Sequence, residues 1–444
     1  MTPARRGARP VAAATVGAAL LVAALFTTAP AAEIDGYFEE GIATRFDKGD
    51  LLYHRQTLNM RTDGYLSDGV YVRLDVDVWH DDPDFEANDE FHARIREGYF
   101  RFGFENADLR IGRQQIAWGE ADGVIVSDQV SPFNLTNFIL PPFDAIRLGV
   151  DGATLDYYFD NGNELQLIYI AKFQRPDLPP LASPWSFIDG SLFTGDDPVA
   201  VLAPFDKPSG QFENSEFGGR FSGHPIWCDW SIGYLHTIDD RPAPRNFGRT
   251  VTPTHDFFEL VTANLAVPVA DVLLRFDTAM EFGRFLSTRS PGPIPTADSL
   301  ETASVGFVDR HNIFRGLVAV DFQPNFEWWH QAEATVQYVH EEVFDPHAAL
   351  ADPDKTDLVA VLLRAAYVNE TIKPWLFAIA NVRGHDAWLQ AKVDYEPWQD
   401  WRVTLEFDFF FGRPFDPTRR RGGGGTFGRF DDNDLVQLVI RRSF

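Results

Sequence analysis

The chain has 444 residues, with 39 lysines and arginines against 65 aspartates and glutamates, and a formal net charge of −26. Such acidity argues against nucleic acid as a partner, because phosphates would repel it. The one cysteine, Cys228, cannot form an internal disulfide, and no stretch beyond residue 31 has the length and apolarity of a membrane helix. Aromatic residues make up 14% of the chain, which is typical of a closed membrane barrel with aromatic girdles.

The first 31 residues have the pattern of a secretory signal peptide. They begin with Arg5, Arg6 and Arg9, continue with an uncharged alanine- and leucine-rich run, and end at Ala29-Pro30-Ala31. A basic start, a short apolar run and an A-x-A site are the three parts of a cleaved export signal. The apolar run is shorter than the roughly 20 residues of a membrane span. We expect residues 1–31 to be removed and residues 32–444 to form a single outer-membrane domain.

Apolar and polar residues alternate over many short segments. Between Val70 and Trp79, valine and leucine occupy the even positions and charged or aromatic residues the odd ones, and residues 271–282 repeat the pattern. A period of two places the two sets on opposite faces of a strand. The charged face must contact water or a polar network, which in a membrane barrel is the lumen. A soluble β-sandwich would show the same alternation.

About eighteen such segments can be counted, with sixteen as the main alternative. The predicted fold is therefore all-β, a transmembrane antiparallel up-and-down β-barrel. Short and long joints alternate along most of the chain, as the periplasmic turns and extracellular loops of such barrels do, and both termini on the periplasmic side require an even strand number. A soluble sandwich does not predict this alternation of joints. The strands are expected near 34–46, 51–62, 68–80, 91–104, 107–114, 146–159, 163–173, 213–222, 226–238, 255–267, 270–286, 306–323, 331–341, 357–369, 373–383, 386–396, 400–411 and 434–444.

The segment from Leu109 to Leu148 is the most distinctive stretch inside the chain. A strand ending in Gly112-Arg113-Gln114 is followed by a Trp-Gly-Glu-x-Asp-Gly bend over 118–123 and a Ser-Pro-Phe-Asn turn over 131–134. These motifs resemble an uncharacterised proteobacterial family of porin-like outer-membrane β-barrel proteins (DUF1302-like). The Gly-Arg-Gln element is also similar to the alginate-export porins. The resemblance implies an outer-membrane location and a porin-like class, and says little about cargo.

We expect residues 115–145 to form a loop that folds into the pore. The segment is too long for a tight turn, and its apolar side chains, Val126, Phe133 and Phe138 among them, need burial. Its acids would then face arginines of nearby strands at a narrow point, where a transverse field orients a passing solute. The same charges could instead form a static network in the wall. The predicted constriction residues are Asp75, Asp77, Arg94, Arg96, Arg110, Arg113, Glu120, Asp122, Asp128 and Arg147.

The chain ends on an alternating strand with Val436, Leu438 and Ile440 on one face. A terminal aromatic residue on such a strand, here Phe444, resembles the closing strand of bacterial outer-membrane barrels, in which it is the signal read by the assembly machinery. The resemblance implies this role for Phe444, and closure of the ring requires the strand to pair with 34–46. Arg442 interrupts the apolar face, but a long side chain near the rim can extend to the lipid headgroups.

These features favour a porin-like channel for small hydrophilic or amphipathic solutes, whose selectivity is set by the constriction of loop 115–145 and the charged lumen. The many acids predict a mild cation preference. A structural sleeve around a partner protein, in an export or electron-transfer complex, is the alternative, and an outer-membrane enzyme is a minor one. Since the sequence contains no catalytic, nucleotide-binding, haem or metal motif, no catalytic residue, cofactor or metal is expected.

The expected partners are outer-membrane lipid and lipopolysaccharide, the barrel-assembly machinery and a small solute cargo, and a homo-oligomer stays open. The acidic loop over 81–90 could share divalent cations with lipopolysaccharide, and the cluster Arg419-Arg420-Arg421 could contact its phosphates. Solvated loop charge without a specific partner explains both segments more simply.

Overall fold

The fold was analysed in a computed structural model of the chain. The structure describes residues 33–82, 91–119, 121–138, 145–181, 183–186, 201–202, 212–247, 250–288, 307–324, 326, 329, 331–346, 350, 352–413 and 426–444. The predicted signal peptide, residues 83–90 of the acidic loop and the arginine cluster over 419–421 lie outside the described residues. No helix in the part of the chain that the structure describes is long and apolar enough to cross a membrane.

The described residues form 21 strands, numbered here in chain order. They are β1 (Glu33–Arg45), β2 (Leu51–Ser67), β3 (Val70–Asp81), β4 (Phe91–Gly103), β5 (Ala107–Gln114), β6 (Val150–Tyr158), β7 (Asn163–Lys172), β8 (Val201–Leu202), β9 (Glu216–Gly223), β10 (Asp229–Ile238), β11 (Ala243–Phe247), β12 (Thr250–Thr254), β13 (Phe257–Val269), β14 (Val272–Thr288), β15 (Phe307–Phe322), β16 (Glu333–Phe344), β17 (Lys355–Arg364), β18 (Ile372–Asn381), β19 (Asp386–Trp398), β20 (Trp401–Phe411) and β21 (Leu435–Ser443). Eighteen of them form one large sheet, and the short strands β8, β11 and β12 form a separate small sheet.

The large sheet closes into a barrel through its first and last strands. β1 pairs antiparallel with β2 on one edge and with β21 on the other, where Tyr37 lies opposite Ser443. The backbone of Phe444 continues this pairing, because its N–H donates to the Gly36 carbonyl at 3.0 Å and its carbonyl accepts from the Gly36 N–H at 3.1 Å. Each remaining strand of the sheet pairs with its neighbours along the chain. The predicted eighteen-stranded, all-antiparallel, up-and-down barrel is confirmed.

The two faces of the wall follow the predicted alternation. On β14, Phe276 and Phe282 point outward and are 36% and 40% exposed, whereas Asp277 and Glu281 point inward and are fully buried. Exposed phenylalanines on the outward face are typical of the apolar outer face of a membrane barrel. The inward acids are surrounded by other polar groups of the lumen, as buried charges must be.

The last strand shows the same division between its faces. Leu438 and Ile440 are exposed on the outer face, and Gln437 is buried on the inner face. Arg442, which interrupts the apolar face, lies with its guanidinium 5.5 Å from the ring centre of Trp401. A cation over an indole ring is stabilised by the electrons of the ring face, so the arginine is accommodated at the rim of the barrel.

Short turns lie at the end of the barrel that carries both termini. Two residues each join β2 to β3, β13 to β14 and β19 to β20, whereas the opposite end carries long joints such as 115–149. Two strand ends differ from the prediction by five residues: β2 continues to Ser67 rather than ending near 62, and β17 stops at Arg364 rather than near 369. Val368, Asn369 and Glu370 all have positive φ values, between 54° and 64°, and this conformation is incompatible with an extended strand.

Candidate functional site

The described part of the joint between β5 and β6, residues 115–119, 121–138 and 145–149, leaves the wall and packs inside the barrel. We call it the inner loop. Its residues Trp118 and Val126 are at most 1% exposed, and Ile116 and Val130 are also buried. They pack against inward apolar residues of β6, β7, β10 and β13 to β16, namely Val150, Ile168, Ile170, Leu235, Phe258, Leu260, Ala279, Leu317, Ala319 and Val339. The inner loop therefore fills one side of the lumen, as predicted.

Hydrogen bonds to lumen amides hold the first part of the inner loop against the wall. The indole Nε1 of Trp118 donates to Gln166 Oε1 at 2.8 Å, and the backbone carbonyl of Trp118 accepts from Asn264 Nδ2 at 2.8 Å. Both bonds are buried. Because buried polar groups of the loop find partners on the wall, the loop can pack there without a large desolvation cost.

Asp122 anchors the tip of the bend to the opposite strands. Its carboxylate accepts from Arg275 Nη2 at 2.6 Å, and its backbone N–H and carbonyl bind the side-chain amide of Gln337 at 3.2 and 2.9 Å. Arg275 also pairs with Asp321 at 2.6 Å. The structure thus places this predicted constriction residue in the fastening of the inner loop.

Asp128 and Arg147 pair with each other inside the inner loop. Arg147 Nη1 lies 2.9 Å from Asp128 Oδ1, and the same oxygen accepts the backbone N–H of Trp118 at 3.1 Å. A Cβ atom on Gly119 would lie 2.8 Å from the Cβ of Asp128, so only glycine allows the two chain segments to pass this closely. The ion pair ties the beginning of the inner loop to its end.

The Gly-Arg-Gln motif shapes the point where the chain leaves the wall. Gly112 has a φ of 133°, and a Cβ there would lie 2.3 Å from the carbonyl oxygen of Gly98, which explains the glycine. Gln114 is buried on the lumen face and accepts from Thr154 Oγ1 at 2.8 Å. Arg110 points to the same face and pairs with Asp156 at 2.7 Å. These contacts hold the last residues of β5 in place before the inner loop begins.

Arg113 lies on the face of β5 opposite to Gln114 and therefore points away from the lumen. Its Nε donates to the Ile95 carbonyl at 2.9 Å, its Nη1 contacts Asp151 Oδ1 at 3.0 Å, and its Nη2 donates to Gln174 Oε1 at 2.9 Å. The pairing of β4 with β5 ends at this residue, although β4 continues to Phe91. Arg113 thus bridges the notch that the departing chain leaves in the wall.

An open cavity of about 610 Å³ remains on the other side of the inner loop, along β1 to β4 and β18 to β21. We call it the conduit cavity. Of the predicted constriction residues, Asp75, Asp77, Arg94 and Arg96 line it. Arg110, Arg113, Asp122, Asp128 and Arg147 lie elsewhere, in the contacts described above, and Glu120 lies outside the described residues. The inner loop contributes Gln115, Asn134, Ala145 and Ile146 to the lining.

A β-bulge on β4 concentrates charge at this cavity. The pairing of β3 with β4 shifts between Asp75 and Val76, which leaves Arg96 as an extra residue on β4. Because an extra residue breaks the alternation of faces, Arg96 and its neighbour Glu97 both line the conduit cavity. Arg96 Nε lies 3.8 Å from Asp77 Oδ2. A regular strand would have turned one of the two charges toward the outer face of the barrel.

The conduit cavity carries more cationic than acidic side chains. The eight cations are Arg55, Arg61, Arg73, Arg94, Arg96, Lys392, Arg402 and Arg441, and the six acids are Glu39, Asp75, Asp77, Glu97, Asp394 and Glu406. Six of the cations and four of the acids were not among the predicted constriction residues. The alternation of the strands predicts that these ten side chains point into the lumen. No feature of the sequence indicates which strands face open space rather than the inner loop. Among the residues that the structure describes, no three His, Cys, Asp or Glu side chains are arranged to hold a metal ion.

The part of the chain that contains the inner loop matches a known protein family. Residues 50–299, more than half of the chain, match the family described as "Protein of unknown function (DUF1302)". The chain belongs to this family. The matched span includes β5, the inner loop and its anchors on β7, β13 and β14. No curated protein matches the chain.

Three solved structures are similar to the whole barrel. OccK8 (OprE) of Pseudomonas aeruginosa has 8% identity and a TM-score of 0.53, covering 93% of this chain and 98% of its own. OccAB2 of Acinetobacter baumannii has 9% identity and a TM-score of 0.52 over 93% and 98% of the two chains. The outer membrane protein opdK of P. aeruginosa has 10% identity and a TM-score of 0.50 over 93% and 99%. At these identities the likeness concerns the fold alone, and the fold is that of an outer-membrane β-barrel.

Proposed function

We propose that the protein is a passive outer-membrane channel for small hydrophilic or amphipathic solutes, and that it favours anions. The observation that carries the proposal is the conduit cavity, which remains open beside an inner loop that fills the other side of the lumen. Side chains at the narrowest part of a pore control passage, because a solute must exchange its hydration shell for them. The inner loop therefore acts as the filter, with the charged strands β1 to β4 and β18 to β21 facing it.

The preference for anions follows from the charges of the lining. Eight cations and six acids border the open space itself, although the whole chain is strongly acidic. Four of the cations, Arg55, Arg61, Arg94 and Arg402, also pair with acids outside the lining, so the proposal assigns the preference to the side chains that border the space. A permeating ion responds to the field of the nearest low-dielectric wall more than to distant solvated loops. The proposal thus reverses the mild cation preference that the overall acid content predicts.

A sleeve around a partner protein is less well supported by the same contacts. Such a sleeve needs an unobstructed lumen, whereas Trp118 and Val126 occupy the barrel interior with less than 2% exposure. The proposal further includes export through a cleaved signal peptide over 1–31, a domain over 32–444, and recognition of Phe444 by the assembly machinery. Lipid and lipopolysaccharide surround the outer face in this proposal.

Reversal potentials of the purified chain in planar bilayers test the proposal. Under a potassium chloride gradient we expect chloride to permeate better than potassium. Arg96→Glu changes the lining to seven cations and seven acids, so the preference should disappear. The matched control is Arg310→Glu, because Arg310 is exposed on the outward face of β15 and contacts the ring of Phe285. It makes the same charge change away from the cavity.

Two results would overturn the proposal at different levels. If the isolated barrel shows no conductance even after deletion of residues 120–140, it is not a channel. If the wild-type barrel conducts but prefers potassium, the cations of the conduit cavity do not set its selectivity.

A further inference from the structure

A second cavity, of about 310 Å³, lies between the inner loop and the wall and shares no lining residue with the conduit cavity. We call it the side cavity. It lies near the ends of β10 and β13 that carry the long joints, on the extracellular side of the barrel. Pockets of this volume are at the lower end of the range that holds small organic molecules. Neither the proposed path nor the fastening of the inner loop requires this space.

One part of the side cavity is apolar. Ile125, Phe133 and Leu135 of the inner loop face it, together with Leu178 from the segment after β7 and Phe258 of β13. Phe258 is 4% exposed and Phe133 is 6% exposed. An apolar wall of this kind releases water when it contacts a hydrocarbon or aromatic group. It contributes nothing to the binding of a small inorganic ion.

The opposite wall of the side cavity carries three arginines, two of which form ion pairs with acidic side chains. Arg284 binds Asp239 through Nε and Glu281 through Nη1, each at 2.5 Å. Arg315 binds Glu341 through Nε at 2.5 Å and also contacts Glu281. Both guanidinium groups are buried. Their charges are therefore already compensated, and they form a rigid floor rather than a free binding group.

Arg241 differs from these two arginines. It is exposed within the side cavity, and no ion pair or side-chain hydrogen bond to its guanidinium occurs among the described residues. Its backbone N–H donates to Asp239, which holds the loop in place. The neighbouring acid that lines the cavity, Asp240, lies beyond the end of β10. Burial, reinforced by Glu216 and Asp239, raises the pKa of Asp240 well above its ordinary value. The acids whose charges act on Arg241, namely Asp239, Glu281 and Glu341, give their short contacts to Arg284 and Arg315 instead. The N–H donors of the Arg241 guanidinium can therefore bind an anion in the cavity.

We propose that the side cavity binds an amphipathic organic monoanion, with its acidic head on Arg241 and its hydrocarbon or aromatic part between Phe133, Leu135 and Leu178. The site deepens the proposed channel function, and its role in solute capture rests on that function. A guanidinium binds a carboxylate through two parallel hydrogen bonds. The apolar wall selects acids with a hydrophobic tail over small hydrophilic anions.

Equilibrium dialysis of the full chain in lipid nanodiscs tests the site, with radiolabelled octanoate as the probe and empty nanodiscs as background. We expect saturable binding that octanoate displaces much better than acetate, which lacks the tail, or octanamide, which lacks the charge. Arg241→Gln should weaken octanoate binding about tenfold or more, since it removes the charge-assisted hydrogen bonds to the carboxylate. Arg241→Lys should restore part of the affinity. Leu178→Ser should weaken octanoate without changing the binding of acetate.

The control is Arg310→Gln, which removes one outward arginine and should bind octanoate as the wild type does. Heat-modifiable gel migration confirms that each variant is a folded barrel. If folded Arg241→Gln binds octanoate with wild-type affinity, or if octanamide displaces octanoate equally well, the site is refuted. The proposed function fails separately: a barrel that binds octanoate through Arg241 but does not conduct keeps the site and loses the channel. A barrel that conducts while Arg241→Gln binds normally keeps the channel and loses the site.

Discussion

Removal of the main apolar anchor of the inner loop should widen the channel. The ring of Trp118 is 1% exposed, and a Cβ added to Gly233 would lie 3.0 Å from it, which shows how closely the ring packs on β10. Its indole N–H is bound to Gln166. Trp118→Ala removes these contacts, yet Trp118 takes part in none of the strand pairings that close the barrel. We therefore expect the loop to loosen while the wall stays intact.

The magnitude follows from the burial of the ring. Truncation of a fully buried tryptophan to alanine costs about 3–5 kcal/mol. Since about 1.4 kcal/mol corresponds to a factor of ten in an equilibrium, the lower value raises the open fraction of the inner loop by roughly 150-fold. Local opening draws on a smaller free energy than global unfolding. The loop should thus respond long before the eighteen-stranded sheet does.

Single-channel recording and limited proteolysis measure the effect. For Trp118→Ala we expect a larger mean conductance with added current noise, together with faster cleavage between residues 120 and 140. Heat-modifiable migration should be unchanged. The matched control is Trp398→Ala, which removes the same side chain from the end of β19, where it is 69% exposed. Wild-type conductance and wild-type protease resistance in Trp118→Ala would refute the view that this residue holds the filter in the lumen.

Two further substitutions probe the wall itself. Arg113→Gln should lower the unfolding temperature of the barrel in detergent, because it leaves the Ile95 carbonyl and Asp151 without their cation. The carbonyl that loses its hydrogen bond costs about 1–3 kcal/mol. An unfolding temperature equal to that of Arg310→Gln would contradict this role. Deletion of Phe444 should reduce the amount of assembled barrel in the outer membrane but not the conductance of each channel, since the residue pairs with Gly36 at the rim and does not line the conduit cavity. Normal assembly with an altered conductance would be the opposite of what we expect.

The architecture of the wall could be predicted from sequence because it depends on a local pattern. A period of two assigns each residue to lipid or lumen, and turn residues end the strands, so strand bounds and facing follow from neighbouring residues alone. Arg441, for example, lies on the face of the last strand opposite to Leu438 and Ile440, and it lines the conduit cavity as this alternation predicts. The inward fold of the inner loop was also predictable, because its apolar side chains had no other place for burial.

The position of the inner loop within the lumen could not be predicted. It depends on contacts between residues far apart in sequence, such as Trp118 with Gln166 and Asp122 with Gln337. The bulge at Arg96 was also missed, because one extra residue leaves the composition of a strand unchanged while it alters which side chains face the lumen. These two features decide which of the many inward charges border open space. The predicted set of constriction residues therefore combines lining residues with anchors.

The residues that match the family and the charged residues that line the conduit cavity are only partly the same. Residues 50–299 contain the inner loop, its bend glycines and most of its anchors, including Gln166, Asn264 and Arg275. Six charged residues of the conduit cavity lie outside that span, namely Glu39, Lys392, Asp394, Arg402, Glu406 and Arg441. The described residues of the Gly-Arg-Gln and Trp-Gly-Glu-x-Asp-Gly motifs thus lie where the inner loop leaves the wall and is held against it. Because these charged side chains of β19 to β21 make none of the anchoring contacts, we expect their substitution to change the charge preference of the proposed channel without loosening the inner loop.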